Sequence, residues 1–488
     1  MSVDLEYPLN YFTGDMRPSR LAFVLLLGKL AVSQQIYDVW QTTWDRSKLF
    51  KNVSPSKSID FSDSTSASSS VNIRVDEANE AQEIVGFGAS LSDSSALTLK
   101  KLKESNSDRY WELLHRAFDP TYGANSAGLS YIRVPLGATD FSSSVYSLDD
   151  TAGDTSFSHF DINRAPSYVF STLDDIRSIN KYLKVHLVPW SPPGWMKDSG
   201  SMNGGSLKSE MVKYYSTYFL KAVQGFKNKG IPIYAVTIQN EPLNDNPSYP
   251  TCTMTPSVEA KIGKSLRTQL NDNGFSSVKI IGFELYSFHC YAGSVSDQEQ
   301  FHKAFPSKDI YFTECSGTIG SDWWSDMKWY MDNLWIGALE HRAKSGLMWN
   351  LALDGRGNPK LPGTNSCPDG CRALVSVSGG SYTLNQEFIS MAHVSKATIP
   401  RDPGGPSAKM IGVSVSGSTK WALRTAAFKT KRASSKDWPM YSLVVLNWHD
   451  NDNGDWNPTP VTASIQFRGK QVTYTFPVGI TTLWWYAE

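Results

Sequence analysis

Ile231-Pro-Ile-Tyr-Ala-Val-Thr-Ile-Gln-Asn-Glu-Pro242 is the stretch from which the fold is read. Its run from Ile231 to Gln239 is rich in β-branched and aromatic residues, as a buried strand requires. The run stops at Glu241, and Pro242 cannot carry a strand's hydrogen bonding further. Ile310-Tyr-Phe-Thr-Glu-Cys315 repeats the design and closes on Glu314. A carboxylate at the C-terminal end of a buried strand is poorly placed for packing and well placed for chemistry.

Outward from these two strands, helical and extended patterns alternate. Ile84 to Phe87 reads as a strand, Ser94 to Phe118 as a helix and Leu129 to Val134 as a strand. Tyr168 to Tyr182 is an amphipathic helix, followed by a strand from Lys184 to Pro189. Glu210 to Lys229 and Val258 to Asn273 are helices, and Val278 to Phe283 is the strand after them. Beyond Glu314, Trp323 to Ser345 is helical and Leu347 to Leu351 extended. Strands spaced by helices imply parallel crossovers, and eight such units close a barrel. The fold class is therefore α/β, a (β/α)8 TIM barrel over residues 81–398. From residue 399 to 488 the pattern changes to short period-2 runs between turns, which read as an appended antiparallel β-sandwich. Residues 34–80 read as a Ser-rich linker with strand sequence, Val71 to Val75, that joins the sandwich.

One junction breaks the alternation. Lys279-Ile-Ile-Gly-Phe-Glu284 and Leu285-Tyr-Ser-Phe-His-Cys290 both look like barrel strands, with nothing between them. A parallel neighbour needs a crossover of about a dozen residues or more. Either this is one long strand, or the barrel lacks its fifth helix.

The chain has 488 residues, with Lys+Arg and Asp+Glu at 47 each. A balanced surface gives nucleic acid or an anionic membrane no field to follow, so neither is expected as a partner. The chain is read as a monomer. Residues 1–33 read as a leader that starts at Met16. It has a basic segment, an apolar run from Leu21 to Leu27 and a small-residue cleavage site at Ala31-Val32-Ser33. A secreted, extracellular protein is expected. Asn52-Val53-Ser54 is then a glycosylation sequon, and Cys367 and Cys371 are spaced for a local disulfide. Cys252, Cys290 and Cys315 leave at least one odd thiol.

Two carboxyl groups on one barrel rim suit glycoside cleavage, with one acting as nucleophile and the other as acid. The acid has to hold a proton, so burial or a neighbouring negative charge is expected to raise its pKa. Asn240-Glu241-Pro242 suits the acid, and Asn240 can hold a sugar hydroxyl. Glu314 suits the nucleophile, with Arg133 in Tyr131-Ile-Arg-Val-Pro135 as its cation. A surface loop carboxylate is the competing reading of Glu241, and a structural ion pair that of Arg133. Pro189-Trp-Ser-Pro-Pro-Gly-Trp-Met-Lys197 is a stiff loop at another strand end, whose Trp190 and Trp195 could floor a sugar site. Trp349 and Asp140 also sit past strand ends, where packing or turn chemistry alone could account for each, and His289 and Tyr291 flank Cys290, where the ordinary role of a lone histidine is structural. No phosphate loop, metal motif or nucleophile elbow is present, and no cofactor is expected.

Taken in order, these segments resemble glycoside hydrolase family 30. The similarity runs from about Ser69 to the C-terminus. It is carried by Gly86 to Asp93, Arg133 to Ser142, Pro189 to Lys197, Gln239 to Pro242, Thr313 to Cys315 and Trp349 to Leu353. The resemblance implies a barrel coupled to a sandwich and a retaining glycosidase. It implies Glu241 as acid/base and Glu314 as nucleophile. Asp140, Trp190, Asn240 and Trp349 would grip the sugar, with Arg133, His289 and Tyr291 in support. Ile319 to Lys328 and Leu361 to Cys367 are most similar to the fungal endo-β-1,6-glucanase branch, which implies β-1,6-glucan as substrate. The same chemistry on β-1,6-galactan or glucosylceramide is the alternative, as is a silent carbohydrate-binding protein if the gap at 284/285 is real. Members that resemble the chain carry roughly two dozen residues there, the length of a barrel crossover.

Overall fold

The computed structural model describes residues 34–63, 69–282, 285–452 and 454–488. The leader, including Met16, lies outside the described residues.

Eight parallel strands form the barrel. In chain order they are Gly86–Ser90, Tyr131–Pro135, Lys184–Val188, Ala235–Thr237, Lys279–Ile281, Tyr286–His289, Ile310–Glu314 and Ala343–Asn350. They are numbered first to eighth below. The first, second and seventh are buried along their whole length, as strands covered on both faces must be. Hydrogen bonding runs from the fifth strand back to the first and on through the eighth and seventh to the sixth. The fifth and sixth are not paired as strands. Ile281 and Leu285 form one isolated parallel bridge. Gly282 N–H donates to Leu285 C=O at 2.8 Å, and Leu285 N–H donates to Ile280 C=O at 3.3 Å. Two separate strands are therefore present rather than one long one, and among the described residues no helix joins them.

Local chemistry moves several predicted boundaries. The helix expected over Ser94–Phe118 is two, Asp93–Ser105 and Ser107–Phe118. Asn106 is extended between them and accepts from Arg109 N–H, so it ends one helix and caps the next. The helix from Trp323 passes through a π-helical stretch, Tyr330–Gly337, before Ala338–Glu340. Gly337 permits that wider turn, since a Cβ there would stand 2.3 Å from the Asp332 carbonyl oxygen. Trp421 lies in a 3-10 turn, Lys420–Ala422, just before the strand Leu423–Thr430 rather than inside it.

A second sheet of eleven strands, mostly antiparallel, is built from both ends of the described chain, ten of them in one path and Ile59–Asp60 paired beside it on Gln35–Thr43. Gln35–Thr43 pairs with Gly479–Tyr486, and Val71–Glu83 lies between Lys409–Gly417 and Val461–Phe467. The path folds over a core of its own that includes Ile36, Ile73, Leu443 and Trp485. Phe467 meets Trp485 edge-on at 5.5 Å, although their strands are far apart along the path. Helix Gln386–Ala397 is buried at all twelve positions. Its His393 bonds Thr42 at 2.8 Å and Thr482 at 2.9 Å, so it ties barrel to sandwich.

Candidate active site

The seventh strand ends on Glu314, which is 4% exposed. Arg133 rises from the second strand, also buried, and donates through Nη1 to Glu314 Oε2. Its Nη2 donates to Asn240 Oδ1 at 2.6 Å, and its guanidinium lies 4.9 Å from the Trp190 ring centre. The Tyr291 hydroxyl donates to Glu314 Oε1 at 3.1 Å. Glu314 is thus held between a buried cation and a phenol, the setting that suits a carboxylate nucleophile.

Glu241 stands just past the fourth strand with φ of 44°, in the left-handed region that non-glycine residues rarely occupy. Such strain persists where surrounding structure over-determines it, and it clusters at functional sites. Asn244 closes the turn, with its N–H donating to the Glu241 carbonyl at 2.9 Å. The Asn244 amide also donates to Glu241 Oε2 and to the Tyr249 hydroxyl, each at 3.0 Å. His289 Nδ1 lies 2.9 Å from Glu241 Oε1 and 3.9 Å from Glu314 Oε1. Burial raises the Glu241 pKa, but His289, Asn244 and Arg133 together pull it lower, and the net shift is downward. This corrects the expectation of a raised pKa. The partner that decides the sign comes from the sixth strand, remote in sequence.

One oxygen of each carboxylate and a ring nitrogen of His289 all lie within 4.8 Å of one another. Retaining glycosidases set their two carboxyl groups about 5–5.5 Å apart, and inverting ones farther. Three such ligand atoms could also span a small cation. Arg133 already supplies the positive charge that Glu314 faces.

A disulfide, Cys290–Cys315, joins the ends of the sixth and seventh strands with a Cα separation of 5.2 Å. It stands one residue beyond His289 on one side and one beyond Glu314 on the other. His289 and Tyr291 therefore reach the site although the crossover before them is absent. Cys367 and Cys371 form the second disulfide, as their spacing predicts, and Cys252 is the free thiol.

The cleft above the carboxylates has a volume of about 460 Å³. Trp190 and Trp349 stack at 4.5 Å in its wall, and Phe141 meets Trp349 edge-on. Asp140 Oδ2 accepts from the Ser366 hydroxyl at 2.5 Å, while its buried Oδ1 has no partner among the described residues. Burial pushes the Asp140 pKa up to about 7; Ser366 opposes this and the charge of Glu314 adds to it. Trp195 is not in the cleft, and its indole N–H donates to the Asp149 carbonyl at 2.9 Å. Asn246, Tyr249, Asn365 and Ser366, with Cys367 and Cys371, complete the lining, and the first four carry no strand-end signal in the sequence. The Asn246 amide donates to Asn365 Oδ1 at 2.9 Å, which locks two loops into one wall. The segment Leu361 to Cys367, noted for its resemblance to one branch, was the available signal for that wall.

The profile of the Glycosyl hydrolase family 30 TIM-barrel domain matches residues 84–262. An endo-1,6-beta-D-glucanase of Aspergillus fumigatus is 30% identical over 366 residues, covering 65% of this chain and 71% of that protein. The chain belongs to glycosyl hydrolase family 30. As a member of family 30 it is a glycoside hydrolase, and its barrel is the family's barrel. An endo-1,6-beta-D-glucanase of Neurospora crassa is 30% identical over 64% of this chain and 70% of its own length. A solved endo-beta1,6-glucanase superposes with a TM-score of 0.78 at 24% identity, over 93% of this chain and 99% of that one. SrfJ from Salmonella typhimurium superposes with 0.77 at 18%, over 93% and 100%. At these identities the two structures show the fold.

Proposed function

We propose that the protein is a retaining endo-β-1,6-glucanase. The observation that carries this is the pair of carboxylates with oxygens within 4.8 Å, one of them held by Arg133. Glu314 attacks the anomeric carbon while Glu241 gives its proton to the departing glycosidic oxygen. A bond forms between C1 and Glu314, and the C1–oxygen bond breaks. Glu241, now ionised, takes a proton from water, which attacks C1 and frees Glu314 with the original anomeric configuration. His289 bonds Glu241 between these steps and orients its carboxylate. Asp140, Asn240 and the Trp190–Trp349 wall hold the sugar, with the unpartnered Asp140 oxygen awaiting a hydroxyl.

The substrate rests on the relatives, which are named for β-1,6-glucan. The barrel, residues 81–398, carries the chemistry, and the sandwich of residues 399–488 with strands from 34–80 supports it. Two disulfides favour an oxidising compartment, and the sequon residue Asn52 is exposed, both in keeping with export. Among the described residues no helix is long and apolar enough to cross a membrane.

The absent crossover is the one observation favouring a second reading, a protein that binds glycan without cutting it. The experiment is reducing-end release from β-1,6-glucan and β-1,6-galactan, with glucosylceramide as a third substrate, by the native chain and by Glu314→Gln. The expected result is release from the glucan alone, with β-configured first products by NMR. Glu314→Gln should lose about three orders of magnitude or more in turnover while it still binds. Binding without release by the native chain would establish the second reading.

A further inference from the structure

We propose a second glycan-binding site outside the cleft, where the helix that starts at Trp323 meets the sandwich. An open groove of about 490 Å³ lies there, walled by Trp329, Trp421 and Trp448 and sharing no residue with the cleft. Trp329 is 43% exposed and Trp421 52%. Isolated exposed aromatics are ordinary; three converging on one groove with a polar rim are not.

The tryptophans are held in place. The Trp448 indole N–H donates to the Trp421 carbonyl at 2.7 Å, and Trp448 N–H donates to the Ala422 carbonyl at 3.0 Å. Trp421 meets His449 edge-on at 4.9 Å. Trp329 is the last residue before the π-helical stretch, whose wider turn carries Asp332 and Asn333 on the groove's barrel side. Single π turns inside α-helices are rare and recur at functional sites. Rigid aromatic faces lose little entropy when a ligand stacks on them.

The charges identify the occupant. Lys328 is paired with Asp450 at 2.6 Å, and Asp332 with Arg424 at 2.6 Å. Every charge on the lining is matched within the protein, so the groove offers a neutral surface of aromatic faces edged by hydrogen-bonding groups. An anionic or cationic partner finds no complement there. A pyranose chain does, with apolar ring faces for the tryptophans and hydroxyls for the Asn333 amide and the paired ions. The choice of β-1,6-glucan as the chain rests on the reading of the cleft; the binding of an uncharged polysaccharide does not.

The test is electrophoretic retardation in gels containing β-1,6-glucan, β-1,6-galactan or β-1,3-glucan, with Glu314→Gln in every chain so that the gel is not digested. Adding Trp329→Ala and Trp421→Ala is expected to weaken the apparent affinity for β-1,6-glucan by about fivefold or more. Tyrosine at both positions should retain most of it. Unchanged thermal midpoints would show that the variants fold. In the active chain, the two alanines should slow release from the polymer and leave cleavage of a short oligosaccharide within about twofold. Retardation that ignores the tryptophans, or falls equally with alanine and tyrosine, overturns the proposal. Cleavage with tryptophan-independent retardation sinks the groove and leaves the cleft reading standing. Tryptophan-dependent retardation without sugar release from any polymer does the reverse.

Discussion

Cys290 is bonded to Cys315, so the strand that carries His289 is tied to the strand that carries Glu314 at the level of the chemistry. Neither strand end can drift without the other. This cross-link does locally what a crossover helix would do by packing: it fixes the sixth strand against its neighbour.

Replacing both cysteines by serine should lower stability by about 3 kcal/mol, the chain-entropy value for a loop of this size. Catalytic efficiency should fall further than the melting point alone explains, because His289 and Tyr291 lose their anchor. Calorimetry and kinetics on the double variant, and on native protein under reductant, check this. Full activity without the bond would show that strand pairing suffices.

The downward pKa of Glu241 sets the pH profile. The proposed general acid must be protonated, and Glu241 gives up its proton below the ordinary glutamate value of 4.5. Efficiency should therefore decline as pH rises above that range. His289→Ala removes a hydrogen bond to the carboxylate, raises the Glu241 pKa and should move the alkaline limb upward, while the maximal rate drops. A profile that keeps its limb in the variant would show that another group sets it.

Asp140 has the opposite sign. Its folded pKa of about 7 stands above the ordinary 3.8. The cost of ionising it in the fold is absent below pH 4, grows as pH rises and is complete above about 7. Asp140→Asn should thus stabilise the protein at pH 8, by on the order of a few kcal/mol, and leave it little changed at pH 4. Sugar binding should weaken at both values. Equal melting shifts at the two pH values would contradict the burial argument.

Arg133 should tolerate no replacement. Arg133→Met leaves Glu314 buried without its cation, at a cost of about 3–5 kcal/mol. Arg133→Lys keeps the charge but cannot reach Glu314 and Asn240 together. Both variants should lose turnover, with lysine retaining more stability in urea titrations. A methionine variant as stable as native would mean that the Arg133–Glu314 pair adds nothing to the fold.

Much of the cleft was legible because strand ends announce themselves. Glu241, Glu314, Asn240, Asp140, Trp190, His289 and Tyr291 end or follow β-rich runs, Arg133 and Trp349 lie within two others, and they converge. Asn244, Asn246, Tyr249, Asn365 and Ser366 lie in loops, which have no period to read. Helix Gln386–Ala397 buries its polar residues, Gln386, Glu387, Ser390, His393, Ser395 and Lys396, together with its apolar ones, so no separate apolar stripe marks it in the sequence. Strand Gln35–Thr43 was hidden by distance, since its partner, Gly479–Tyr486, lies at the other end of the chain. The Trp195 reading failed because proline-rich stiffness says nothing about the direction a ring points.

A complete cylinder of strands has no edge, but this one has a seam. Among the described residues Ile281 and Leu285 make its one bridge, and strand Tyr286–His289 pairs as a strand with Ile310–Glu314 alone. Deuterium should enter there first, and proteases should nick there first. The loosest staves of the barrel thus bear the imidazole that touches both acids, and slight opening of that seam would detune catalysis long before the protein unfolds.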